Sequence, residues 1–357
     1  MARRAILLCI DGCGPEYLRS SDVPTLNGLG RDGISITGNS IVPSVTNVNN
    51  VSIITGKYPE EHGITSNYFY DPVTGKEVYM ESPEFIRASS ILEQASEGGL
   101  RTALLTSKDK LRTLLSRGAS TSLSAERPPS WLVGAIGPPP PIYSVDVDIW
   151  LIKALREVVV KEGSDLAYVA TTDYAMHMHR PDEPESRRHM GGIDRVLGGL
   201  MEELEGRGDD VFVGVTADHG MRDKGWAVNL ELVLKGRGVP SKMNPIIKDR
   251  YTVHHRNLGG AAYVYLEEPD DVDRAVEFLR ETEGVEAVLT RGEAAETYHL
   301  DREQIGDLLA LGEEEYVFGL LEDEVCEVSV RSHGSLHEAR IPIIANRPIP
   351  GRVEENK

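Results

Sequence analysis

Four short apolar runs, each closed by a polar cluster, constrain this chain more than any other feature. Ala5–Ile10 (AILLCI) ends at Asp11-Gly12, and Thr102–Thr106 (TALLT) runs into Ser107-Lys108-Asp109-Lys110. Leu166–Ala170 (LAYVA) ends at Thr172-Asp173, and Val211–Val215 (VFVGV) leads to Asp218-His219-Gly220. Runs this short, with no polar face, read as strands covered on both sides. Helical segments lie between them: Pro24–Gly33, Ser90–Ala95, Asp146–Lys161 with Ile149, Ile152, Leu155 and Val158 on one face, and Met190–Leu204. The alternation predicts an α/β core with a doubly wound, mainly parallel sheet. Such sheets bind ligands at the carboxyl ends of their strands, which is where the polar clusters stand.

The pattern changes after about Trp226. Ala261–Leu266, Val285–Leu289 and Glu315–Phe318 read as strands, and Asp270–Thr282 as a helix with an acidic start. A small α+β cap over 227–325 is therefore expected, inserted into a core made of 1–226 and 326–357. Val325–Val330 and Ile341–Ala345 are expected as the last core strands. The Pro/Gly-rich stretch 127–141, with Pro138 to Pro141 in a row, is expected as a surface excursion. A length of 357 residues accommodates this plan, and 40% hydrophobic residues suffice for a large core.

Ile41-Val42-Pro43-Ser44-Val45-Thr46-Asn47-Val48-Asn49-Asn50 leads from an extended segment into a helical one, Val51 to Thr55, stopped by Gly56. Its hydroxyl and amide side chains read as helix caps. A helix start also suits an anion, because its N–H groups and dipole point outward. Thr46, beside a metal, is the candidate nucleophile. The plainer reading of this stretch alone is a capped helix.

Possible ligands stand at the strand ends: Asp11, Asp218 and His219, Asp173 with His177 one helical turn later, and His333 in Arg331-Ser332-His333-Gly334. Carboxylate and imidazole suit zinc. Each is individually explained by a turn, a cap or a core histidine; their recurrence after successive strands is what points to metal. Lys108 and Lys110 read as a solvated turn unless a metal-bound anion lies near them, in which case they could grip a second negative group. His62 and the His254-His255 pair carry no distinguishing spacing.

Other chemistries fail at the level of letters. Gly33 to Gly38 lacks the Walker lysine, no G-x-S-x-G elbow occurs, and His337-Glu338 lacks the second histidine of H-E-x-x-H. Cys9, Cys13 and Cys326 form no CxxC and no disulfide framework. A net charge of −19 argues against nucleic-acid and anionic-membrane partners. The apolar run after Met1-Ala2-Arg3-Arg4 is too short for a signal peptide, so a cytoplasmic location is expected.

Taken together, PSVTNVNNVSIITG (43–56), HGITSNYFYDPVTG (62–75), SKDKLRTLL (107–115), TTDYAMH (171–177), TADHGM (216–221), TVHHRNLG (252–259) and RSHGSLHE (331–338) give a resemblance over nearly the whole chain. The chain resembles the alkaline phosphatase superfamily, and within it the phosphonoacetate hydrolases, relatives of the nucleotide pyrophosphatase/phosphodiesterases. The resemblance implies an alkaline-phosphatase-like fold and two zinc ions, or another divalent ion in their place. Asp11, Thr46, Asp218 and His219 would hold one; Asp173, His177 and His333 the other. It further implies Thr46 as nucleophile, Asn67 as donor to a phosphoryl oxygen, and Lys108 and Lys110 on the substrate carboxylate. On an extended turn the two lysines, at i and i+2, would point the same way. Ser66 stands where the family leads one to expect glycine, and Ser107 where alanine is expected. His337 is a rival to His333.

The implied reaction is hydrolysis of the C–P bond of phosphonoacetate to acetate and phosphate through a phosphothreonine. The alternatives are a zinc-dependent phosphodiesterase or nucleotide pyrophosphatase on the same site, and a non-catalytic metal-binding interaction protein. The expected partner is a small anionic phosphonate or phosphoester. No membrane partner is expected, and a homodimer stays open.

Overall fold

The computed structural model describes residues 2–71, 73–249 and 254–348. Pro72, Thr252-Val253 and the tail 349–357, which figure in the expectations above, lie outside the described residues. The seven-stranded central sheet runs in the order Ile34–Asn39, Arg340–Ala345, Asp210–Thr216, Arg3–Cys9, Leu166–Ala170, Thr102–Thr106, Thr121–Ser124. Arg3–Cys9 pairs in parallel with both Leu166–Ala170 and Asp210–Thr216, whereas Arg340–Ala345 is antiparallel to both of its neighbours.

Two of the four apolar runs are covered on both faces, whereas Asp210–Thr216 alternates between buried and half-buried residues. Every residue of Thr102–Thr106 and Leu166–Ala170 is buried. Ile6 and Leu8 pack with Leu151, Ile193 and Leu197 on one side of the sheet. Cys9, Leu104 and Tyr168 pack with Val48 and Val51 on the other. Helices Val147–Glu157 and Pro184–Gly206 cover the first face; the latter begins on a proline at its first turn, where the missing N–H costs nothing.

A second sheet of four antiparallel strands runs Ser241–Pro245, Ala261–Leu266, Leu308–Gly312, Val285–Thr290. Helices Val272–Arg280 and Arg291–Tyr298 accompany it, the second closed by a Thr290/Glu293 capping box. A third sheet sets Arg222–Val228 between Tyr316–Phe318 and Val325–Ser332. Val325–Val330 is thus not a core strand: its alternating exposure suits a small sheet open to solvent on one face, not a covered parallel one. The boundary expected at 226/227 falls within the Arg222–Val228 strand. The Pro-rich stretch is more than an excursion. It contains the helix Ser130–Ile136, whose Leu132 is fully buried in the core, and Gly137 O accepts from Trp150 Nε1 at 3.0 Å. No helix among the described residues is long and apolar enough to cross a membrane.

His62, unassigned from sequence, is a core histidine. Its Nδ1 accepts from Ile64 N at 3.1 Å, and Nε2 lies 2.8 Å from Ser52 Oγ. Burial, then the Arg87 charge, lowers its pKa to about 3. The unfolded chain takes up this proton near pH 6.5 and the folded chain does not, so stability falls as pH drops through that window towards 3. At pH 5 this one group should remove ~2 kcal/mol relative to pH 7. Urea unfolding at both pH values should show a smaller pH difference in His62→Gln than in the parent; an unchanged difference would clear His62 of the effect.

Candidate metal and substrate site

Three adjacent strands bring the acidic residues together. Cys9 is in register with Ala170 on one side and Thr216 on the other. Asp11, Asp173 and Asp218 follow these residues, so their side chains meet at one sheet edge. Asp173 precedes the short helix Tyr174–Met178, which carries His177. Thr46 begins the helix Thr46–Thr55, and His333 follows the Val325–Ser332 strand.

His219 Nε2 lies 3.3 Å from Thr46 Oγ1, 3.3 Å from Asp11 Oδ1 and 3.7 Å from Asp218 Oδ2. Asp173 Oδ2 lies 3.0 Å from His177 Nε2 and 3.7 Å from His333 Nε2. The His219 and His333 rings stack, with centroids 3.6 Å apart, so the two groups adjoin.

Each histidine donates through Nδ1 to a backbone carbonyl: His177 to Arg331 O at 2.6 Å, His219 to Gly220 O at 2.9 Å, His333 to Ser44 O at 2.8 Å. That fixes the tautomer with the Nε2 lone pair turned into the site. His219 Nε2 and Asp11 Oδ1 then face each other as two acceptors, and Asp11 Oδ1 is buried without a hydrogen-bond partner among the described residues. A divalent cation fits such a set, and N and O donors of this kind are ones zinc accepts.

Charge tells the same story. Burial, then the Asp218 and Asp173 carboxylates, push the Asp11 carboxyl well up. Burial works against the Asp173 carboxylate too, but Lys108 and His177 outweigh it and hold its pKa well down. Burial, then the neighbouring His219, lowers His333 to about 3, leaving its imidazole neutral. Cations would relieve the crowded carboxylates.

The other expected residues fall as follows. A cavity of about 60 Å³ is shared by Thr46, Asp11, Asn67, Lys108, Lys110 and His333. Asn67 Oδ1 is buried there without a hydrogen-bond partner among the described residues. Lys108 Nζ pairs with Asp173 Oδ1 at 3.3 Å, and Lys110 Nζ with Glu81 at 2.9 Å and Asp249 at 3.2 Å. The lysines do not lie on an extended turn. Lys108 is the N-cap and Lys110 sits in the first turn of the helix Asp109–Leu115, because Asp109 is drawn in by Arg112 and Ser124. They share a cavity through side-chain reach. The side-chain cap expected for the Thr46 helix is also absent: Val45 is its N-cap and Asn49 turns back to Ile41 N. His337 pairs with Glu286 at 2.7 Å instead.

Sequence reasoning missed three contributors. Asn50 Nδ2 donates to Asp218 Oδ2 at 3.0 Å while its Oδ1 accepts from Tyr168. Thr171 Oγ1 accepts from Asp11 N at 2.9 Å. His254 Nε2 lies 3.5 Å from Asp173 Oδ1, and Asp173, His177 and His254 are close enough to share an ion. Among the described residues neither His254 nitrogen has a hydrogen-bond partner, and its ring packs against Tyr143, Tyr174 and His177. All three positions lie inside the quoted motifs, but no spacing sets His254 apart.

Residues 5–336 match the type I phosphodiesterase / nucleotide pyrophosphatase family. The chain belongs to that family. Within the solved structures, phosphonoacetate hydrolase from Sinorhizobium meliloti, in complexes with phosphonoacetate and with phosphonoformate, superposes with a TM-score of 0.89 at 33% identity, over 98% of this chain and 91% of that one. Murine ectonucleotide pyrophosphatase/phosphodiesterase 5 shares the fold, with a TM-score of 0.71 at 17% identity over 97% of this chain and 88% of that one. A curated family member, an uncharacterized pyrophosphatase/phosphodiesterase of Schizosaccharomyces pombe, is 28% identical over 236 residues, 60% of this chain and 44% of its own length. The chain spans less than half the length of the first curated relatives it matches. The fold is the alkaline-phosphatase-like α/β type.

Proposed function

We propose that the protein hydrolyses the C–P bond of phosphonoacetate to acetate and phosphate. One divalent ion, zinc by its donors, would be held by Asp11, Thr46, Asp218 and His219, and a second by Asp173, His177 and His333. The observation that carries the substrate choice is that Lys108 and Lys110 enter the same cavity as Thr46, so one pocket offers a nucleophile and two ammoniums. The full-length likeness to a phosphonoacetate hydrolase supports it.

When bound, the ions supply positive charge for the phosphonyl oxygens and favour the Thr46 alkoxide. Thr46 Oγ1 attacks phosphorus, and the C–P bond breaks with its electron pair passing to the α-carbon. Delocalisation into the adjacent carboxylate makes this carbanion tolerable, and Lys108 and Lys110 stabilise the developing charge there. The carbanion takes a proton to give acetate, and water then hydrolyses phosphothreonine to phosphate and free Thr46. Asn67 can donate to a phosphonyl oxygen. The Asp173, Asp11 and Asp249 carboxylates outweigh the opposing burial and raise the Lys108 pKa, so it stays charged.

The second reading, a phosphodiesterase or nucleotide pyrophosphatase, is favoured by the curated relatives. A simple diester has no carboxylate, so the lysines separate the two readings. Lys108→Ala and Lys110→Ala should each slow phosphonoacetate cleavage by roughly ten- to a hundredfold, the loss of one charge-assisted contact of ~1.5–3 kcal/mol. Hydrolysis of a nitrophenyl phosphodiester should fall far less. Equal losses on both substrates would replace the first reading with the second.

A further inference from the structure

We propose that Asp148 is a positioning residue, which ties the loop carrying Lys108 to the loop carrying Asp173. Asp148 lies on the helix Val147–Glu157 beneath the sheet edge and is 1% exposed. Its Oδ1 accepts from Ser107 Oγ at 2.5 Å and from Thr172 N at 3.0 Å. Ser107 follows the Thr102–Thr106 strand and precedes Lys108; Thr172 follows Leu166–Ala170 and precedes Asp173. One carboxylate oxygen therefore joins the residue before the substrate lysine to the residue before the metal ligand. The Lys108–Asp173 pair, at 3.3 Å, closes the ring on the other side. Ser107 is the residue that departs from the expected alanine, and alanine could not make this bond.

The other oxygen faces a buried imidazole. Asp148 Oδ2 lies 3.7 Å from His189 Nε2, and neither buried atom has a hydrogen-bond partner among the described residues. His189 donates through Nδ1 to Val145 O at 2.9 Å, which fixes the ring against the carboxylate. Its helix, Pro184–Gly206, packs directly on the helix of Asp148. The Asp148 side chain is thus packed against a long helix below and turns Oδ1 towards the two loops. Asp148 touches neither the expected ions nor the substrate cavity, so its effect passes through Ser107 and Thr172.

The proposal rests on the proposed function in taking Lys108 as a substrate residue and Asp173 as a metal ligand. Its test uses the full-length protein, freed of metal by a chelator and titrated with zinc, together with phosphonoacetate kinetics. Asp148→Ala should weaken the second zinc equivalent by about tenfold or more and leave the first as in the parent. Asp148→Asn keeps the Oδ1 acceptor and can donate to His189, so it should stay within about threefold of the parent. Ser107→Ala should raise KM for phosphonoacetate about three- to tenfold, with kcat and both zinc affinities unchanged. Parent-like zinc binding in Asp148→Ala, or equal loss in Asp148→Asn, would overturn the tether. So would a Ser107→Ala variant with unchanged KM, which carries the test if Asp148→Ala does not fold. If the parent does not cleave phosphonoacetate, the substrate reading fails while the zinc titration still decides the role of Asp148.

Discussion

Thr46→Ala should lose turnover by a thousandfold or more, ~4 kcal/mol of transition-state stabilisation, while still binding at least one zinc. The substitution removes the only atom proposed to form a bond to phosphorus. Asp11, Asp218 and His219 remain, and His219 keeps its orientation because its Nδ1 bond goes to Gly220 O. Thr46 makes no side-chain cap for its own helix, so the fold should not depend on the hydroxyl. Elemental analysis of the purified variant separates loss of nucleophile from loss of metal. Thr46→Ser should recover part of the rate. A near-normal rate in Thr46→Ala would remove Thr46 as nucleophile.

Lys224→Met should destabilise the protein by ~3–5 kcal/mol, the range for a buried ion pair that loses one partner. Lys224 Nζ donates to Glu338 Oε1 at 2.8 Å and to Glu314 O at 2.7 Å, and both charged side chains are fully buried. Glu338 Oε2 accepts from Ser335 N and Ser335 Oγ, two residues beyond His333. The pair thus pins the third sheet to the loop that supplies a proposed metal ligand. Without Lys224 the carboxylate keeps its two bonds from Ser335 but loses its only charged partner among the described residues. Replacing both residues by apolar ones should be less harmful than Lys224→Met alone, since no unpaired charge remains. Chemical denaturation of the two single variants and the double variant gives the coupling. A loss below ~1 kcal/mol in Lys224→Met would show that water reaches Glu338 after all.

The pair also shows where sequence reading stops. Lys224 and Glu338 are 114 residues apart, and each alone looks like an ordinary surface charge. Lys108 and Lys110 illustrate the same limit. Their neighbourhood to a strand end is legible, but their backbone conformation depends on Asp109, whose partners Arg112 and Ser124 decide that a helix starts there. His254 has no distinguishing spacing, and only the tertiary fold brings its Nε2 to 3.5 Å from Asp173 Oδ1.

The sequence by itself determined the α/β class, the parallel strands and the sheet edge at which polar residues gather. The reason is local: short apolar runs closed by turn residues and alternating with helical periodicity read as strands, and the polar residues after them emerge at the end of the sheet. The tertiary structure alone decided which emerging residues meet. Strand order placed Asp11 between Asp173 and Asp218, because Arg3–Cys9 pairs with strands that come far later in the chain. It also chose His333 over His337 for the site, by giving Ser44 O to one ring and Glu286 to the other. Those choices depend on contacts between distant segments, and no spacing along the chain records them.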